Sequence, residues 1–213
     1  LLYARERHRL PRVIAITSLE NVASGRLLER IGLQFEGNAR LAGSNEEVRL
    51  FGTTGAYQFD APNTRPVFDG LWTSGQLTPA DIQHLPAFGI EAVVNLALPT
   101  ASNALPGEAE AVTGQGMAFV QIPVPWEKPE PRHLQQFFGV MDAFAGRKVW
   151  VHCAKNFRVS AFVYLYRRLR FGEDHEAALH PMRTVWQPNP IWQAFIDQSL
   201  SNPDQDPVAG TTR

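Results

Sequence analysis

From Lys148 the chain reads KVWVHCAKNFRVSAFVYLYRRLRFG, and no other stretch restricts the fold as strongly. The segment KVWVHC is apolar nearly throughout, without the polar alternation of a half-exposed strand, so it predicts a strand covered on both faces. A short polar loop follows. RVSAFVYLYRRLRFG then predicts a helix that is apolar around most of its circumference and stops at Gly172. A buried strand that turns directly into a buried helix is the repeating unit of a parallel sheet with helices on both faces.

The preceding and following sequence continues that alternation. GLWTSG predicts a strand, and TPADIQHLPAFG a helix with Thr78 as cap, Pro79 at its first position and Gly89 as stop. IEAVVNLA predicts a strand, GEAEAVTGQG a short helix and AFVQIPV another strand. PEPRHLQQFFGVMDAFAG predicts a helix ending at Gly146, and EDHEAALHPMRTVW and NPIWQAFIDQSL complete the domain as two helices. The expectation is an α/β domain over residues 69–201, its central sheet mostly parallel. A Gly-, Pro- and Asn-rich linker is expected over 54–68, a separate segment over 1–53, and a frayed tail over 202–213.

Composition limits the function classes. The chain has 213 residues, 44% hydrophobic and 19% charged, with a net charge of −1. No global field favours nucleic acid or an anionic membrane, so neither is expected as a partner. No apolar run approaches the roughly 18 residues of a membrane-spanning helix. A single cysteine cannot form an internal disulfide, which fits a reducing, cytoplasmic setting. The start, LLYARERHRLPR, lacks the order of a signal peptide and reads like the interior of a helix, so the chain is expected to begin within a domain. His84, His133, His175 and His180 have no metal-ligand spacing, and neither metal nor cofactor is expected.

The lone cysteine, Cys153, admits two readings. A cysteine ending an apolar strand is commonly a small core hydrophobe. Where a strand C-terminus meets a helix N-terminus, however, free amides and the helix dipole attract anions and lower a thiol's pKa. Arg158 has the planar fork that grips two oxygens of a phosphate, and Asn156 tolerates the left-handed backbone such loops need. Lys155 adds positive potential or is simply solvated. Ser160, in the first helical turn, is placed to donate to a thiolate leaving group, and His152 to support the loop by hydrogen bonds. Trp72, Trp186 and Trp192 read as packing residues, and Trp126 either walls the pocket or packs on the fold, with packing favoured.

His152-Cys153, Arg158 and Ser160 after an apolar strand resemble the signature loop of the cysteine-dependent tyrosine and dual-specificity phosphatases, and in particular small bacterial proteins of that superfamily. The resemblance extends upstream through LWTSGQLTPADIQHLPAFGIEAVVNL and covers about residues 68–199. It implies that Cys153 attacks phosphorus, that the amides of Ala154, Lys155, Asn156, Phe157 and Arg158 with the Arg158 side chain hold the phosphoryl oxygens, and that a carboxylic acid protonates the leaving group. The substrate class implied is a phosphorylated small molecule or phosphoprotein. Two departures stand out. Four residues, not the family's five, separate Cys153 from Arg158, so that counting from Cys153 puts Val159 in the arginine slot and Ser160 at the family's Ser or Thr. Either the loop closes one residue tighter or Arg158 points elsewhere. The family's acidic Asp is also missing from PWEKPEP, where Glu127 and Glu130 stand, Glu127 being the better placed.

The first segment, VIAITSLENVASGRLLERIGLQFEG, resembles the C-terminal half of a GNAT-type acetyltransferase in Asn21, Ser24, Gly32 and Leu33, over about residues 1–53. There the resemblance implies a coenzyme A site at Asn21 and Ser24, within a β-α-β-β segment. The glycine-rich pyrophosphate loop would lie before residue 1, and Leu28 stands where many members carry a tyrosine. The bland alternative is an ordinary helix capped by Asn21. Three functions therefore compete: a cysteine phosphatase, a phosphate-binding or interaction module of the same fold, and a fragment of an acetyltransferase fusion.

Overall fold

The computed structural model describes residues 13–40, 46–52, 59–68 and 70–201. The helix expected over 1–10, the first five residues of the expected linker and the tail from 202 lie outside these residues. The chain forms two compact units, Leu1–Gln58 and Phe59–Arg213.

In the first unit, strand β1 (Ile14–Ser18) leads to helix α1 (Val22–Arg30), then β2 (Gln34–Arg40) and β3 (Glu47–Gly52). The strands form an antiparallel sheet in the order β1-β3-β2, giving the expected strand–helix–strand–strand succession. Asn21 caps α1, its side-chain oxygen accepting from the Ser24 amide at 3.0 Å, as the bland alternative requires. Val22, Leu27 and Ile31 of α1 are about half exposed. Gly25 is the buried residue instead, because the helix lies so close to β3 that a Cβ there would meet Arg49 and Phe51 at 3.0 and 3.1 Å.

The second unit is built on a five-stranded sheet in the order β4-β5-β8-β6-β7. These strands are β4 (Arg65–Phe68), β5 (Leu71–Ser74), β6 (Ala92–Asn95), β7 (Ala118–Gln121) and β8 (Val149–His152). β5, β8, β6 and β7 are parallel, and β4 is an antiparallel edge. β4 falls at the end of the stretch expected to be linker. Its strand character was hidden by Pro66, which an edge strand tolerates because only one side of it is paired.

Alternation along the parallel strands sorts the core onto two faces. Ala92, Val94, Val149 and Val151 pack with helices α4 (Pro131–Ala143), α5 (Phe157–Arg170), α6 (His175–Arg183) and α7 (Pro190–Ser201). Val93 and Trp150 pack on the other face with Ile82 of α2 (Pro79–His84), Leu85 and Val112 of α3 (Glu108–Thr113). Trp150 stacks on Trp72 at 5.5 Å and 7°. α5 is buried continuously from Arg158 to Tyr166, as an all-round apolar helix should be.

Asp81 ties the start of this unit to α2. Its carboxylate accepts from the Asp60 and Ala61 amides at 2.9 and 3.1 Å and from the Thr78 amide at 2.9 Å, while Thr78 caps the helix in return. Asp81 is fully buried. Asp81→Ala leaves several buried amides without acceptors, and a loss of about 2–4 kcal/mol in urea unfolding is expected. A loss below about 0.5 kcal/mol contradicts this role.

Candidate active site

β8 ends at His152, and Cys153 opens a loop that closes when α5 begins at Phe157. Register places Ser74, His152 and Asn95 side by side at the C-terminal ends of β5, β8 and β6. The loop thus rises from the middle of the sheet, where parallel strands point their ends at the helix starts. Its outer side is clamped. The Ala154 carbonyl accepts from the Gln76 amide at 3.2 Å and the Asn103 side chain at 3.1 Å, and the Lys155 carbonyl accepts from the Asn63 side chain at 3.0 Å. A trans peptide directs its N–H opposite to its C=O, so the Lys155 amide turns away from those clamping donors.

Asn156 makes the turn. It has φ of +68°, is fully buried, and its side-chain NH2 donates to the Asn63 carbonyl at 2.8 Å and the Thr73 hydroxyl at 3.1 Å. Ser160 is the first residue of α5 whose amide bonds within the helix, to the Asn156 carbonyl at 3.0 Å. The amides of Phe157, Arg158 and Val159 are therefore the free donors of a 14-residue helix's first turn.

Arg158 belongs to that turn and is 8% exposed. Its Nε donates to the Val124 carbonyl at 2.9 Å, and the guanidinium lies over the Trp126 ring at 5.4 Å. With Nε anchored, the two Nη groups form the fork, and neither bonds another described residue. Trp126 belongs to a cluster with Phe157, Trp186 and Trp192, in which Phe157 and Trp186 stack at 4.9 Å and 4°. The tryptophans pack as expected, but around the loop rather than away from it.

Ser160 sits in the same turn of α5. Its hydroxyl donates to the Phe157 carbonyl at 3.0 Å and accepts from the Trp186 indole at 2.9 Å, partners additional to the thiolate role expected from sequence. Cys153 is fully buried against the α4–α7 side of the core. Lys155 is exposed on the loop. The two glutamates separate cleanly. Glu130 caps α4 reciprocally with His133, and the neighbouring Arg132, then Lys128, holds its carboxyl below the usual range. Glu127 is exposed on the turn just after Trp126 and pairs with no described residue.

His152 is fully buried, and burial lowers its pKa to about 3 against a small opposing effect of the Cys153 backbone. It is therefore neutral and no base. Its Nε2 lies 3.3 Å from Glu108 Oε1, at an angle that does not make a hydrogen bond. Glu108, Gln76, Asn95, Asn63 and Asn103 all touch the loop or its base, and none was singled out from sequence. Separations such as 32 residues between Gln76 and Glu108 leave no local pattern to find.

Two measurements check this geometry. Asn156→Ala loses two side-chain bonds and strains a left-handed backbone, for an expected cost of about 2–3 kcal/mol, while Asn156→Gly keeps the backbone relaxed and costs about 1 kcal/mol less. Equal losses in chemical unfolding contradict the strain. For His152 the folded pKa is depressed, so the unfolded chain takes up the proton first. Its contribution is full above about pH 6.5 and is lost as pH falls toward 3. His152→Gln removes that part of the fall in unfolding free energy between pH 7 and pH 5. An unchanged pH dependence contradicts burial of the neutral ring.

Comparisons with known proteins give the family and fold of the second unit. A family model described as DSP-PTPase phosphatase fused to NAD+ kinase matches residues 58–193. A candidate phosphatase (DUF442) from Shewanella putrefaciens CN-32 is 30% identical, with a TM-score of 0.61 over 67% of this chain and 94% of that one. Two more distant structures share the fold. The core catalytic domain of the PP-IP phosphatase SIW14 from S. cerevisiae is 14% identical, with a TM-score of 0.56 over 66% of this chain and 87% of its own. TpbA from P. aeruginosa is 15% identical, with a TM-score of 0.55 over 68% and 89%. No curated protein sequence matches the chain. The family match begins at residue 58, so the acetyltransferase resemblance of the first unit rests on its sequence alone. The chain belongs to the DSP-PTPase family described as fused to NAD+ kinase, and its second unit has the tyrosine and dual-specificity phosphatase-like fold.

Proposed function

We propose that the second unit hydrolyses phosphate monoesters through a cysteinyl-phosphate intermediate. The observation that carries this reading is the first turn of α5 directly after the Cys153 loop, where the Phe157, Arg158 and Val159 amides and the Nη fork of Arg158 bond no described residue. Such donors suit the charge on the equatorial oxygens of a transferring phosphoryl group. The four-residue interval is accommodated because α5 starts at Phe157, which puts Arg158 in the first turn at the loop. Of the two loops weighed from sequence we favour the tighter one, which the start of α5 at Phe157 supports.

In the proposed reaction the Cys153 thiolate attacks phosphorus and the ester P–O bond breaks. Glu127 gives its proton to the leaving oxygen. Water then attacks phosphorus, Glu127 takes up a proton, and the S–P bond breaks to restore the thiolate. Glu127 follows Trp126 by one residue, and Val124, three residues before it, is held by Arg158, so the acid turn and the loop are linked by one bond. Glu130 is excluded from this role by its capping of α4. The substrate is a phosphorylated small molecule or phosphoprotein, and a reducing, cytoplasmic setting suits the thiolate. A second reading, a phosphate-binding module without turnover, is favoured by the full burial of Cys153.

Hydrolysis of an aryl phosphate decides between them. Turnover is expected, with Cys153→Ser lowering kcat by about a thousandfold or more and Glu127→Gln by about a hundredfold. Phosphate binding without turnover supports the second reading and removes the first.

A further inference from the structure

Beneath the loop lies a buried carboxylate that the proposed reaction does not use. Glu108, the first residue of α3, is 7% exposed. Its Oε1 accepts from Gln76 Nε2 at 2.5 Å, its Oε2 accepts from Asn95 Nδ2 at 2.7 Å, and His152 Nε2 stands 3.3 Å from Oε1. These partners come from the ends of β5, β6 and β8, so one side chain reaches all three central parallel strands. Each partner leads to the loop or to its neighbour. The Gln76 amide holds the Ala154 carbonyl, Asn95 Oδ1 accepts from the Ala97 amide at 2.7 Å, and the His152 carbonyl accepts from the Leu96 amide at 2.8 Å.

We propose that Glu108 is a positioning residue which, by holding Gln76 and Asn95 on either side of His152, sets where β8 releases Cys153 into the loop. The proposal rests on the phosphatase reading of the site. A carboxylate is suited to this place because it only accepts and offers several lone-pair directions to donors from different strands. Buried donors left unpaired are costly, so the Gln76 and Asn95 side chains are held to the geometry that one carboxylate can serve, and His152 between them packs against it. Burial raises the Glu108 carboxyl above the usual range while the Asn95 and Gln76 bonds oppose that rise, the balance of a group held by donors rather than by a cation. Its influence falls on the Cys153 end of the loop. The free amides of Phe157, Arg158 and Val159 lie at the other end, on α5, which has no bond to Glu108.

The test uses the full chain in four forms: unaltered, Glu108→Gln, Gln76→Glu, and both changes together. Glu108→Gln turns an amide donor toward a donor. The double exchange restores a donor–acceptor pair between 76 and 108 and leaves an oxygen for Asn95. Three quantities are read: kcat on p-nitrophenyl phosphate, the inhibition constant of inorganic phosphate, and the alkylation rate of Cys153 by iodoacetamide. Glu108→Gln is expected to lower kcat and alkylation about tenfold while phosphate inhibition changes less than about twofold, with the double exchange recovering at least about a third of the activity. Unchanged kcat and alkylation in Glu108→Gln, or a double exchange no better than the weaker single form, overturns the proposal. If Glu108→Gln does not fold, Asn95→Ser removes one donor and keeps the carboxylate. A kcat loss of about threefold is then expected, and none overturns the proposal. An unaltered protein with neither turnover nor phosphate-protected alkylation sinks the phosphatase reading instead, and the alkylation rates of the variants still decide the role of Glu108.

Discussion

The register of three short parallel strands is the constraint on which the rest of the second unit depends. Ser74, His152 and Asn95 stand abreast at the ends of β5, β8 and β6. A slip of one residue would send each strand's side chains to the opposite face. Trp150 would then leave the α2–α3 side, where it stacks on Trp72, and His152 would leave Glu108. The same register brings Gly75 and Gln76 against the loop, so that the Gln76 amide can hold the Ala154 carbonyl. Core packing and loop geometry are set by one alignment.

From that alignment the chemistry follows in a short series of contacts. The loop carbonyls are taken up by Gln76, Asn103 and Asn63, and Asn156 accepts the left-handed turn because its side chain is bonded on two sides. α5 then begins with its first-turn amides unpaired and with Arg158 among them. The bond from Arg158 Nε to the Val124 carbonyl fixes the guanidinium and joins the loop to the turn that carries Glu127. Ser160 in the same first turn of α5 accepts from the Trp186 indole and so ties the helix start to the aromatic cluster.

Much of the fold was legible in the sequence because its signals are local. The unbroken apolar run at Val149–Cys153, the Thr78–Pro79 start and the glycine stops each predict an element within a few residues. β4 was missed because Pro66 looks like a breaker when the strand's edge position is unknown. In α1 the apolar Val22, Leu27 and Ile31 are about half exposed, and close approach at Gly25 carries the contact. In the site, Cys153, Asn156 and Arg158 were visible as a spacing on one loop. Glu108 was not, since a carboxylate that meets Gln76, Asn95 and His152 does so through the sheet and not along the chain. The choice between Glu127 and Glu130 likewise needed the capping of α4 to be seen.

Four residues between Cys153 and Arg158, one fewer than in the phosphatase pattern this loop resembles, are proposed to close an oxyanion site over Cys153. A crystal structure with tungstate, a phosphate mimic that a cysteine can approach axially, tests it most directly. The account predicts the oxyanion held by the loop and first-turn amides, with both Nη groups of Arg158 on its oxygens while Nε keeps the Val124 carbonyl. Tungstate bound elsewhere, or a guanidinium turned away from it with Cys153 still sealed in the core, would contradict the account.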